Sequence, residues 1–285
     1  MQMHRFYLPP ECCAGAALQL DEHEAHHARH VLRVQRGEPV VVLDGAGHEF
    51  FCEVADCSRN NVSLRVKQKN VVPPPPCRIT LLQAVPRGKI IESIVQKSVE
   101  LGAHCIMPLL TERVVIDLDE KEKAKKREKW QQVAIEAIKQ CGAAWLPKIE
   151  TPVTIKEALS RRNAGIRPGS SGLQHAESPP CSSPSAFSLQ PSAFDLSLIG
   201  SLQTGRRHPR ECFQEFRARH GRRPQSVAVW IGPEGDFTPD ELKTIQASGA
   251  LPISLGRLVL RVETAAIYCL SILNYELDAK PESKF

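Results

Sequence analysis

The stretch VAVWIGPEGDFTPDEL, residues 227–242, decides how the chain is read. An apolar run stops at Gly232, a Gly-Pro-Glu-Gly-Asp turn follows, and Thr238, Pro239 and Glu241 spell out a helix start. Thr238 suits the N-cap, Pro239 the first helical position, and Glu241 the reciprocal place in a capping box. Gly232 and Gly235 let the backbone approach a ligand closely, so free N–H groups there can bind one. The same residues also make a plain strand–helix turn, and the loop alone does not choose between the two.

About twenty residues later LPISLGRLVLRVETAA, residues 251–266, repeats the theme. A strand ends near Leu255-Gly256, an irregular connection follows, and a helix begins near Thr264. In an open parallel sheet, ligands bind beyond the carboxyl ends of the strands, where neighbouring loops face each other. One glycine-rich loop and one carrying Arg257, Arg261 and Glu263 then make a composite small-molecule site. Neither loop matches G-x-G-x-x-G or a Walker A pattern, which disfavours a common dinucleotide or triphosphate site.

Outward from these loops, strands and helices alternate from Arg78 to the end. RITLLQAV, HCIMPLLT, LSLIGSL and SVAVWIG read as strands, and LPKIE as a possible further one. Helices are expected at 90–101, 119–141, around 208–220, from Pro239, and at 264–277. TIKEALSRR opens with Thr154 and Glu157 at capping-box spacing. Such alternation predicts an α/β fold with a mostly parallel sheet and helices on both faces.

Residues 1–72 differ. Short β-branched runs at 40–43, 49–54 and 62–66 are separated by DGAG and SRNN, which look like hairpin turns. This is a small β-rich module. The proline-rich linker 73–77 follows, a stiff spacer before a second domain at 78–279. Residues 163–194, rich in Ser, Pro, Gly and Ala, show neither period and are expected to be a disordered insertion.

The 285 residues include 42% hydrophobic ones, enough for a packed core, and carry a formal charge of +5. That mild excess permits a nucleic-acid partner without demanding one. The ten cysteines are scattered with no Cys-x-x-Cys pair, which fits reduced thiols in the cytoplasm. No run approaches membrane-spanning length, so no membrane partner is expected.

One segment carries a rival reading. His23-Glu24-Ala25-His26-His27 satisfies H-E-x-x-H, a zinc-protease pattern that puts two histidines on one helix face. Four histidines within eight residues make the pattern easy to meet by chance, and the segment sits beside a small β module with no obvious buried helix. A solvated helix facing water or a phosphate backbone is the plainer reading, and no metal is expected. Basic clusters at Arg29, Arg33 and Arg36 and at Arg206 to Arg223 are candidate phosphate contacts. Lys121 to Lys129 alternates with acids and reads as a solvated face.

LLQAVPRGKIIESIVQKSVELGA, PLLTER, AIEAIKQCG, IGPEGDFTPDEL and LGRLVLRVETAA, in that order, resemble the RsmE-type ribosomal RNA uridine-N3 methyltransferases of the SPOUT superfamily. HRFYLPP, HHARHVLRVQRGE and VVVLDGAG look like that family's PUA-like RNA-binding module, a small β-barrel-like domain. The likeness spans nearly the whole chain outside 163–194. It implies a deep trefoil knot in the second domain, S-adenosylmethionine as methyl donor, and a homodimer. The implied substrate is N3 of one uridine in small-subunit ribosomal RNA.

The resemblance further implies a cofactor site at Leu198, Gly200, Leu202, Ile231, Gly232, Pro233, Gly235, Leu255, Gly256, Leu258 and Leu260. Arg261 and Glu263 fall beside the methyl group, and His26, Arg29, Arg33, Arg87 and Arg113 on the RNA side. Arg261 is expected to stabilise the anion that develops as uridine loses its N3 proton. Glu263 or Glu234 is a candidate proton acceptor, and each is also a candidate structural acid.

The chain departs from the family pattern in four places. Asp236 stands where a second glycine is usual, Ala143 follows Gln140-Cys141-Gly142 in place of an arginine, Leu258 stands where arginine is common, and Val262 where Thr is frequent. The missing arginine motivates the alternative of a catalytically impaired RNA-binding assembly factor of the same fold. A zinc hydrolase built on His23, Glu24 and His27 is the remaining alternative.

Overall fold

The computed structural model describes residues 3–58, 61–113, 118–163, 194–203 and 205–278. The expected insertion at 163–194 lies, apart from its two end residues, outside the described residues.

The N-terminal part is a five-stranded sheet made of β1 (His4–Tyr7), β2 (Ala17–Gln19), β3 (Pro39–Leu43), β4 (His48–Ser58) and β5 (Asn61–Val71). Its order is β1-β3-β4-β5-β2, and only the β1–β3 pair is parallel. DGAG and SRNN do join adjacent antiparallel strands, but β4 and β5 run to eleven residues each. Beyond the expected runs they continue through polar stretches, Asp56 to Ser58 in β4 and Lys67 to Asn70 in β5, which mask a strand from a search for β-branched runs. Register shifts between Phe51 and Cys52 and between Val54 and Asp56 let the long pair coil.

Helix α1 (Glu22–His26) is capped by the Asp21 carboxylate, which accepts from Glu24 N, and the chain continues as a π turn through Leu32. The expectation of a solvated segment holds for His23, His26 and His30. It fails for Glu24, Ala25 and Ala28, which are buried. The two alanines pack into the module core with Phe6, Val40, Val42 and Leu64.

The second sheet has seven strands. In chain order its elements are β6 (Arg78–Ala84), α2 (Ile90–Glu100), β7 (Cys105–Leu110), α3 (Glu120–Cys141), β8 (Lys148–Ile149), β9 (Val153–Thr154) and α4 (Ile155–Asn163). Then come β10 (Leu196–Gly200), α5 (Pro209–His220), β11 (Ser226–Ile231), α6 (Pro239–Ala247), β12 (Leu251–Ile253) and α7 (Val262–Asp278). The order is β12-β10-β11-β6-β7-β8, with β9 also on β7, and every pair is parallel.

Strand alternation explains the layers. Val227, Val229 and Ile231 of β11 point to one face, where they meet residues of α2, α3, α5 and α7. Ala228 and Trp230 point to the other, where Leu242 and Ile245 of α6 and Ala158 of α4 cover them. Trp230 is fully buried, and its indole N–H donates to Ser197 Oγ at 3.1 Å. Strand β3 serves both units, since Val40 and Val42 fill the module core while Val41 and Leu43 join the core of the larger sheet.

Because all strands are parallel, the loops after β6, β7, β10, β11 and β12 emerge on one rim. The N-terminal module docks at the opposite edge, on the end of α3 and the approach to β8. There Gly47 N donates to Ala144 O, Leu146 N to Gly45 O, and the Trp145 indole to Val72 O.

Candidate functional site

Each rim loop is held in shape by its own residues. After β11, Asp236 N donates to Pro233 O at 2.9 Å and closes the turn. The α6 capping box forms as its residues dictate: Thr238 Oγ1 accepts from Glu241 N, and Glu241 Oε2 accepts from Thr238 N. The other Glu241 oxygen accepts from Glu112 N at 2.9 Å, so one buried carboxylate ties the loop after β7 to the helix start. On the outer side of the turn, Glu234 Oε1 accepts from Arg87 N at 3.0 Å and the Arg113 guanidinium donates to Gly235 O.

Between the loops after β10, β11 and β12 and the start of α7 lies a cleft of about 390 Å³. Its walls are apolar at Ile90, Ile231, Leu255, Leu260 and Val262, and polar at Ser201, Arg206, Asp236, Arg261 and Glu263. The volume falls within the range of small-molecule sites. The glycines sit close to their neighbours: a Cβ on Gly200 would come within 3.2 Å of Ile231 Cδ1, and one on Gly232 within 3.1 Å of Asp236 Oδ1. Asp236 itself has φ 63°, the left-handed region in which glycine is unstrained and Asp is among the best-tolerated alternatives.

Of the expected cofactor residues, Gly200, Leu202, Ile231, Gly232, Pro233, Leu255, Gly256, Leu258 and Leu260 line this cleft. Leu198 does not. It is fully buried in the sheet core, because alternation along β10 turns it inward two residues before the strand ends. Gly235 faces a second cavity of about 510 Å³, shared with Arg87, Arg113, Pro233 and Glu234. Arg261, Glu263 and Glu234 all reach the first cleft, and Glu234 borders both. Glu263 sits in the first turn of α7.

Arg87 and Arg113 thus come together around the Gly-Pro-Glu-Gly turn. His26, Arg29 and Arg33 line neither cavity and stay on the N-terminal module, where the His26 and His30 rings lie 4.6 Å apart, tilted by 36°. Ser201, Arg206 and Ile90 were not expected in the cleft. For Ser201 and Arg206 the signal was positional, since they follow the end of β10 as Gly232 follows the end of β11.

The H-E-x-x-H pattern does not assemble. Glu24 is buried, its Oε1 bound by Lys139 Nζ at 2.7 Å, which also reaches Glu136 at 2.8 Å. Burial raises the Glu24 carboxyl, and the Lys139 ammonium pulls against it. His23, Glu24 and Glu136 cluster closely, but His27 is not in that group and an ammonium already sits on the carboxylates. Burial, followed by the Lys139 charge, lowers the His27 pKa. The constellation is an ion-paired joint between module and α3.

Three comparisons bear on these loops. The family model described as "RNA methyltransferase domain" matches residues 73–172 and 176–274, and that described as "RNA methyltransferase PUA domain" matches 20–67. The ribosomal RNA small subunit methyltransferase E of Bacillus subtilis is 28% identical over 256 residues, 90% of this chain and 88% of its own. That of Synechocystis is 27% identical over 278 residues, 97% of this chain and 78% of its own. A methyltransferase structure from Legionella pneumophila, in complex with S-adenosylmethionine, has a TM-score of 0.77 and 30% identity, covering 96% of this chain and 98% of its own.

Proposed function

The chain belongs to the RNA methyltransferase domain family, and from that premise we propose that it transfers a methyl group from S-adenosylmethionine to N3 of a uridine in small-subunit ribosomal RNA. The observation that carries this reading is the cleft itself. Three consecutive strand ends and the start of α7 enclose it, and it is lined by the loops the sequence singles out.

The residues fit the donor. Ile231, Leu255, Leu260 and Val262 offer apolar surface to an adenine ring, while Ser201, Arg206 and Glu263 offer polar groups to a ribose and an amino acid end. When bound, the donor supplies an activated methyl group on a sulfonium, so the protein's task is chiefly positioning. Uridine N3 is a poor nucleophile while it holds its proton. Arg261, at the cleft wall, stabilises the anion left when that proton departs. Glu263 is the better placed acceptor for it, since the Glu234 carboxylate is engaged by Arg87 N–H.

N3 lies on the pairing edge of the base, so the acceptor must be unpaired to react. Arg87 and Arg113, exposed beside the shared Pro233–Glu234 wall, provide positive charge for the flanking phosphates. His26, Arg29 and Arg33 are assigned a second contact with the same RNA through the N-terminal module.

The protein acts as a homodimer in the cytoplasm on this reading. Tyr268 and Tyr275, seven residues apart on α7, are 46% and 68% exposed, apolar surface that a second copy would cover. Among the described residues, no helix is long and apolar enough to cross a membrane.

Labelled methyl transfer tests the proposal directly, using small-subunit particles from cells lacking the modification. Incorporation mapped to a uridine N3 is expected. Tight RNA binding without incorporation would instead favour the assembly-factor reading.

A further inference from the structure

Asp236 is one of two described non-glycine residues with a positive φ, and it lies in the wall of the cleft. A backbone held in that region by a residue other than glycine costs free energy, so its side chain deserves a reason. Each carboxylate oxygen has one. Oδ1 accepts from Phe237 N at 2.8 Å and fixes the turn from inside. Oδ2 accepts from Leu202 N at 3.4 Å, across the gap to the loop after β10. Gly232 makes room for this arrangement, because any Cβ there would press on Oδ1.

The two loops joined by this carboxylate differ in how firmly they are held. The turn at 232–237 is tied to its neighbours by Arg87, Arg113 and the Glu241 capping box. The loop after β10 is held at its base, where Ser201 N donates to Ile253 O at 3.3 Å. Its far end is anchored to β12 as well, with Arg207 N donating to Pro252 O at 3.0 Å and Ser254 N to Arg207 O at 2.9 Å. Between these anchors the bonds are local, Gln203 N to Ser201 Oγ and Arg206 Nη1 to Ser201 O at 3.4 Å. Among the described residues, the Leu202 N–H bond to Asp236 is the one hydrogen bond running from this loop to the turn. Its length is at the long end for an N–H donor to oxygen, as suits a contact that yields when a ligand enters.

We propose that Asp236 is a positioning residue, a latch whose second carboxylate oxygen holds the Leu202 loop against the turn and so sets the closed width of the cofactor cleft. The proposal rests on the reading of this cleft as the S-adenosylmethionine site. The latch acts on the walls and not on the ligand's charge. It therefore favours the cationic donor and its neutral thioether product, S-adenosylhomocysteine, to the same extent.

The test compares the wild-type protein with Asp236→Asn and Asp236→Gly. Asn tolerates the left-handed backbone and keeps an oxygen for Phe237 N, but puts an amide donor where Leu202 N needs an acceptor. Gly accepts the backbone freely and lacks both oxygens. Calorimetry should show both variants binding S-adenosylmethionine and S-adenosylhomocysteine more weakly by an equal factor of about five to ten. In steady-state transfer, KM for the donor should rise by a similar factor while kcat at saturation stays within about twofold. Amide exchange at Leu202 and Gln203 should quicken with the melting temperature unchanged.

Unchanged affinity in both variants overturns the latch. Weakening of the cationic donor alone overturns it too, since that would make Asp236 a charge-recognition group. If the wild-type protein binds neither compound, the cofactor reading fails and the latch falls with it.

Discussion

At the amino-terminal edge of the large sheet, Lys139 and Glu24 meet at 2.7 Å with side chains 5% and 3% exposed. At the carboxyl-terminal rim, Leu258 and Val259 stand 79% and 77% exposed. One edge is closed by another part of the same chain, down to a buried ion pair and an indole hydrogen bond. The other leaves apolar side chains and arginines facing outward around an open cleft. Surface that could have been covered and is not marks where the chain meets something else. The contrast assigns stability to the docked edge and function to the rim.

Breaking the rim should separate activity from folding most sharply. Arg261→Ala removes an exposed side chain from the cleft wall, so the fold should be unaffected. Methyl transfer should fall by about 100- to 1,000-fold, the usual cost of losing one donor to a developing anion. Donor affinity should change far less. Single-turnover transfer with calorimetry checks both, and full activity in this variant removes Arg261 from the mechanism.

The docked edge should respond in the opposite way. Lys139→Ala leaves the Glu24 carboxylate buried without its cation, a change that costs about 3 kcal/mol or more. Urea unfolding should show the loss, while the surviving folded protein binds donor as before. Replacing both partners, Glu24→Leu with Lys139→Met, should recover much of the stability, because two apolar side chains carry no desolvation penalty there.

Two further surfaces sharpen the contrast. If a second copy covers α7, Tyr268→Glu with Tyr275→Glu should weaken the dimer by about 2 kcal/mol or more, read by equilibrium sedimentation. Arg87→Ala and Arg113→Ala should each weaken RNA binding modestly. Each should lower the slope of log affinity against log salt by about one, leaving donor affinity untouched.

How much of this was legible in the residues depended on where the signal lay. Thr238, Pro239 and Glu241 announced α6, and the unbroken apolar run Val227 to Ile231 announced a buried strand, because capping and local apolar runs are legible without the fold. The long hairpin β4–β5 was read short, since charged residues at its outer end hide the period. Glu24 was read as solvated because its partner, Lys139, is 115 residues away and only the folded chain brings them together. The cleft was legible as loops but not as walls. Leu198 lies in the sheet core and outside the cleft, and Arg206 and Ser201 were passed over because no local pattern marks a residue that lines a cleft from a neighbouring strand end. The role of Asp236 was invisible for the same reason, since its carboxylate acts across a gap between loops.

The smallest effect lies where the sheet is entered at β10. Asp195 accepts from both terminal nitrogens of Arg222 at 2.9 Å and from Gln225 N at 2.6 Å, tying the start of β10 to the approach to β11. The Arg222 guanidinium, with help from the Gln225 N–H, holds its carboxyl below the ordinary value despite partial burial. A depressed carboxyl contributes stability above its unfolded pKa, about 3.9, and loses it as pH falls through the folded value. Arg222 is half-exposed, so solvent screening limits the effect to roughly 0.5–1 kcal/mol. Asp195→Asn should therefore melt lower than the wild-type protein near neutral pH. The gap should close as the pH falls below the ordinary carboxylate range, because the wild-type side chain is then uncharged as well. A gap that persists unchanged in acid would mean that Asp195 acts here through its shape and hydrogen bonds, independently of its charge.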